Sequence, residues 1–73
     1  MDTVARVKEL AREREISLME LSRLSRVPYS TIKDADRNRR ELRVGTIEMI
    51  CDGLGIPLYQ FFMENPSSPE RSG

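Results

Sequence analysis

Histidine and tryptophan do not occur in this 73-residue chain, and cysteine occurs once. Without histidine there is no partner of the usual kind for a catalytic thiol or hydroxyl, and no His-based metal set. No phosphate-binding glycine loop and no buried acid pair can be found either, so an enzyme is not expected, and no cofactor. The lone Cys51 cannot form an internal disulfide, and between Ile50 and Leu54 in a helix it reads as a small core hydrophobe. No apolar run approaches membrane-spanning length and no signal-peptide pattern follows Met1, so a soluble, cytoplasmic protein with no membrane partner is expected. Alternation of β-branched residues is nowhere sustained, and the four glycines and four prolines stand mostly near helix ends, which points to an all-α domain. Net charge is absent too: twelve Lys and Arg balance twelve Asp and Glu. That balance neither demands nor excludes nucleic acid, and only a clustered basic face would count.

What is present centres on residues 17–38, SLMELSRLSRVPYSTIKDADRN. Ser17 and Glu20 stand at the two positions of a capping box, with Ile16 and Leu21 at those of a hydrophobic staple. Leu18, Leu21 and Leu24 recur at three-residue steps and predict one apolar helix face. Pro28 suits the first position of a second helix, where its missing N–H costs nothing, and that helix carries Tyr29 to Arg37. A capped helix, a short turn and a second helix with a polar exposed face outline a helix-turn-helix.

The remaining chain predicts three more helices. Asp2 or Thr3 caps the first, whose Val4, Val7, Leu10 and Ala11 share a face, while Arg6, Lys8, Glu9, Arg12, Glu13 and Arg14 form a solvated charged surface. Arg26 and Asn38 fall at helix exits, where a left-handed backbone is usual. Arg37, Arg39, Arg40 and Arg43 crowd one loop. Val44 or Gly45 to Gly53 reads as a fourth helix, stopped by Gly53 and Gly55, with Gly55 the better left-handed cap. Pro57 begins a short fifth helix that turns Leu58, Phe61 and Phe62 inward. The expected core is Val7, Leu10, Ile16, Leu21, Leu24, Ile32, Ile47, Ile50, Leu54, Leu58 and Phe61. Residues 1–64 form one domain with its helix-turn-helix at 17–38, and 65–73, rich in Pro, Ser and Gly, read as a flexible tail.

Ile16-Ser17-Leu18-Met19-Glu20-Leu21, Ser30-Thr31-Ile32, Thr46-Ile47, Ile50 through Ile56, and Leu58 with Phe61-Phe62 follow one another in a spacing that resembles the lambda-repressor-like, Cro-type helix-turn-helix domains of the Xre family. The likeness runs from about Val4 to Phe62. It implies a compact five-helix fold that binds duplex DNA, the third helix entering the major groove and the second lying across the backbone. The chain departs from the family in several places. Leu18 stands where a phosphate-holding Gln is frequent, and Arg26 and Asn38 where Gly is. Ala35 replaces a larger apolar residue, and the loop lacks its usual proline near Leu42 or Arg43 and is about a residue short.

Helical geometry nominates contacts independently of the family. With Ile32 facing inward, Ser30, Lys33, Asp34 and Arg37 fall in an opposite arc of roughly 100°. Tyr29 lies at the N-terminal end, where reading helices usually meet base edges. Ser30 suits any base, Lys33 guanine or phosphate, Asp34 the cytosine N4, and Tyr29 a thymine methyl or a phosphate. Arg37, Arg39, Arg40 and Arg43 suit phosphates. Taken singly, each is an ordinary solvent-facing residue; the two-helix context and the basic loop give them weight. The expectation is a sequence-specific double-stranded DNA-binding transcriptional regulator, a repressor acting as a homodimer through its fourth and fifth helices. The alternative is an antitoxin-like module with a protein partner, on the same fold.

Overall fold

Asp2 opens α1 (Thr3–Glu13), its carboxylate accepting from the Ala5 N–H at 3.1 Å. The computed structural model describes residues 2–63, so the tail assigned to 65–73 lies outside the described residues. Ser17 opens α2 (Leu18–Ser25), its hydroxyl accepting from the Glu20 N–H at 3.0 Å. Only this half of the expected capping box forms, because the Glu20 carboxylate turns to Arg23, one turn along the helix. Pro28 caps α3 (Tyr29–Arg37) from just outside rather than serving as its first residue. Then come α4 (Val44–Leu54) and the single turn α5 (Leu58–Phe61). The described residues are all-helical, and none of their helices is long and apolar enough to cross a membrane.

The core gathers Val4, Val7, Leu10 and Ala11 of α1 with Leu21, Ile32, Ile47, Ile50 and Phe61, as the apolar spacing predicts. Ile16 and Leu54 pack against it only partly buried. Leu24 does not join: it is 42% exposed. The reason is rotational. At about 100° per residue, steps of three drift backward by about 60° each, so Leu24 lies roughly 120° from Leu18, which packs against the core, and falls outside the inward side. The side of α2 turned inward is that of Leu21, Ser22 and Ser25, all buried. Ser25 meets α4 so closely that a Cβ on Gly53 would lie 2.6 Å from the Ser25 Cα. Gly53 is therefore a contact glycine inside α4, not its stop. In α5 only Phe61 is buried; Leu58 and Phe62 stay exposed because one helical turn offers a single inward position. Val27, Ala35 and Leu42 complete the core from outside the expected set.

Three helices end alike. The N–H of Ile16 reaches the Ala11 carbonyl, that of Arg40 reaches Ala35, and that of Ile56 reaches Cys51, each closing a Schellman turn. The left-handed residues of these turns are Glu15, Arg39 and Gly55, while Arg26 is left-handed after α2. The left-handed position after α3 is thus Arg39, one beyond Asn38, whose φ is −98°. Only one of the four is glycine, and each side chain held there costs roughly 1–2 kcal/mol.

The charged surface of α1 is not simply solvated. Arg6 is buried, its Nε donating to the Phe61 carbonyl at 2.6 Å and its Nη2 to the Gln60 carbonyl at 2.8 Å, while Nη1 meets Glu9 at 2.8 Å. The guanidinium thereby ties α1 to the end of α5, giving the Phe61 carbonyl a donor and the Gln60 carbonyl a second one. Lys8 pairs with Asp36 of α3 at 3.0 Å.

Candidate nucleic-acid interface

The turn that sets the angle of α3 is built on two buried serines. Ser22 Oγ donates to the Val27 carbonyl, and the Val27 N–H donates to Ser25 Oγ at 3.3 Å. These bonds satisfy backbone groups that a buried turn would otherwise leave without partners. Ile32 and Ala35 then seat the inner side of α3 in the core. The start of α1 holds the other end. The Thr3 N–H donates to the Glu41 carboxylate at 2.9 Å, and Thr3 Oγ1 accepts from the Leu42 N–H at 2.7 Å. The bond from the Thr3 backbone holds the Glu41 carboxyl below its ordinary range, and the bond from Lys8 does the same for Asp36. Asp36 is thus turned toward α1 and neutralised there, away from the exposed side of α3.

That exposed side brings together five of the residues nominated from the sequence. Tyr29, Ser30, Lys33, Asp34 and Arg37 line one shallow depression along α3. Tyr29 is half-buried, and the Lys33 ammonium stands over its ring at 6.0 Å from the centroid. The depression presents a phenol, a hydroxyl, an ammonium and a guanidinium, the donor types that meet base edges and phosphates.

The loop arginines divide. Arg40 and Arg43 line an adjoining groove between α3 and α4, together with Thr31, Asp34, Glu41 and Thr46. Arg39 is absent from that groove and lines a hollow with Asp2, Asp36 and Glu41, which Arg40 borders too. Thr31 and Thr46 add hydroxyl groups to the groove of Arg40 and Arg43 that are not among the residues nominated from the sequence, and Thr31 is exposed there. Leu18 packs partly against the core, consistent with an apolar residue in place of a phosphate-holding one.

Among the described residues no other set of reactive groups competes with this surface. Cys51 is buried, and burial pushes its thiol up from the ordinary range. Among the described residues no group of acids and Cys51 is arranged to hold a metal ion. No curated protein matches the chain, and no solved structure does. A family model, however, matches residues 6–63, which is nearly all of the described fold. With its serine-pinned turn and its second helix of that pair presenting a polar face, the chain belongs to the Cro/C1-type helix-turn-helix DNA-binding domains.

Proposed function

We propose that the protein is a sequence-specific transcriptional regulator of the cytoplasm, a repressor that binds double-stranded DNA as a homodimer and is not an enzyme. The observation that carries this is the shared depression of Tyr29, Ser30, Lys33, Asp34 and Arg37 on α3, flanked by the groove of Arg40 and Arg43. Tyr29, Ser30 and Lys33 lie in the first half of α3 and read base edges; Arg37, Arg40 and Arg43 hold phosphates on either side. Arg39, among acids, contributes least. Selection of bound duplexes from a random pool tests the proposal, and the expected result is a two-half-site sequence whose binding weakens steeply with salt. Recovery of no preferred sequence would reject it.

The homodimer rests on the α4–α5 side. Val44, Met49, Leu58, Tyr59, Phe62 and Met63 supply six of the eight large exposed hydrophobics among the described residues. Sedimentation showing only monomer at high concentration, with and without DNA, would remove this part. The same apolar side favours the second reading, an antitoxin-like module that binds a protein partner. That reading gains if no duplex is bound even at low salt.

A further inference from the structure

Asp34 is the one acid on the exposed arc of α3, and an ionised carboxylate facing DNA needs a reason. It lines both the depression along α3 and the groove of Arg40 and Arg43, so it stands on the ridge between them. Its two oxygens are engaged separately. One accepts from Asn38 Nδ2 at 2.8 Å, and the same amide donates to the Asp34 carbonyl at 3.0 Å. The other lies 3.8 Å from Arg40 Nη1. Arg40 comes back toward Asp34 because Arg39 takes a left-handed conformation at φ 54° and the Arg40 N–H closes the turn on the Ala35 carbonyl at 2.8 Å. A carboxylate that reads cytosine N4 must offer an oxygen to the groove. Here Oδ1 is bonded to Asn38 and Oδ2 faces Arg40, so the carboxylate is drawn toward its own turn rather than toward the depression.

We propose that Asp34 is a positioning residue: it braces Asn38 and Arg40 and so holds the Arg40 guanidinium beside Arg43 for a phosphate, without touching a base itself. This rests on the DNA-binding function proposed above. It also accounts for an acid within a basic surface, since its charge is offset by Arg40 before any phosphate arrives. Specificity then lies with Tyr29, Ser30 and Lys33 alone.

The test is a double-mutant cycle of Asp34→Ala and Arg40→Ala, measured on the selected duplex and on its single-base-pair variants over a salt series. Both side chains are more than half exposed, at 55% and 70%, so the variants keep the fold, which thermal melting verifies. Each single variant should make the log–log salt slope shallower by about one, and the double variant by about one rather than two. Base preference should not change in any of the three. Relaxed preference at one base pair after Asp34→Ala, with the slope intact, would make Asp34 a reader and overturn the proposal. So would stronger binding to all duplexes in both backgrounds, which is the mark of simple repulsion, or two slopes that add. If the unaltered protein binds no duplex, the DNA-binding function itself falls and this inference with it. Binding by the unaltered protein with an uncoupled cycle rejects the inference alone.

Discussion

Residues 29–43 and 44–63 divide the work of the domain between them. The first stretch carries Lys33, Arg37, Arg39, Arg40 and Arg43 against three acids; the second carries Glu48 and Asp52 and no Lys or Arg at all. Burial leans the other way. The first stretch gives the core Ile32, Ala35 and Leu42, and the second Ile47, Ile50, Cys51 and Phe61, of which Ile47, Ile50 and Phe61 are among the largest fully buried side chains. A net charge of zero thus conceals a basic side and a cation-free side that carries more of the large buried side chains. For a small domain this division has a physical logic. A helix that must keep its outer arc polar and accessible cannot also bury a wide apolar stripe, so its position must be secured by neighbours and by hydrogen bonds at its two ends.

Substitutions can break or sharpen this contrast. The largest effect is expected on the cation-free side, where Phe61→Ala should cost about 3–5 kcal/mol. That is a large share of the stability of about 5–15 kcal/mol usual for a domain, and denaturant titration would read it. An effect under about 1 kcal/mol would mean that α5 is not part of the core. Gly53→Ala comes next. Its added methyl meets the backbone of Leu24 and Ser25 rather than a side chain that can move, so about 1–3 kcal/mol should be lost. Unchanged stability would show that α2 and α4 are not so close. On the basic side, Arg39→Gly should raise stability by about 1 kcal/mol by relieving the left-handed backbone. Its salt slope for DNA should move less than that of Arg37→Ala, because Arg39 opens among acids. A full unit of slope lost with Arg39 would place that arginine on the phosphates after all.

Local chemistry explains what could be read from the sequence. The Ser17 cap, the α3 span Tyr29–Arg37 and the left-handed Gly55 each depend on a few neighbouring residues, and each stands where its residue types place it. Two of the misplaced features depend on distant ones. Leu24 faces solvent because α2 turns Ser22 and Ser25 toward α4, and that approach is set by Gly53, 28 positions after Ser25. Arg6 is buried where it donates to the Phe61 and Gln60 carbonyls at the end of α5, a contact invisible from α1 alone. At the interface the arc opposite Ile32 was legible, since helical rotation fixes it. The absence of Arg39 from the groove of Arg40 and Arg43 was not, since it follows from which residue of the turn takes positive φ.

In the proposed function α3 is the DNA-facing element, with positioning and reading carried by different residues. Its most direct test compares Arg37→Ala with Ser30→Ala on preferred and scrambled duplexes across a salt series. Arg37→Ala should weaken binding to all duplexes alike and make the slope shallower by about one. Ser30→Ala should leave the slope nearly unchanged and lose roughly 1–3 kcal/mol on the preferred sequence only. If affinity, slope and preference stay the same in both variants, α3 does not face DNA.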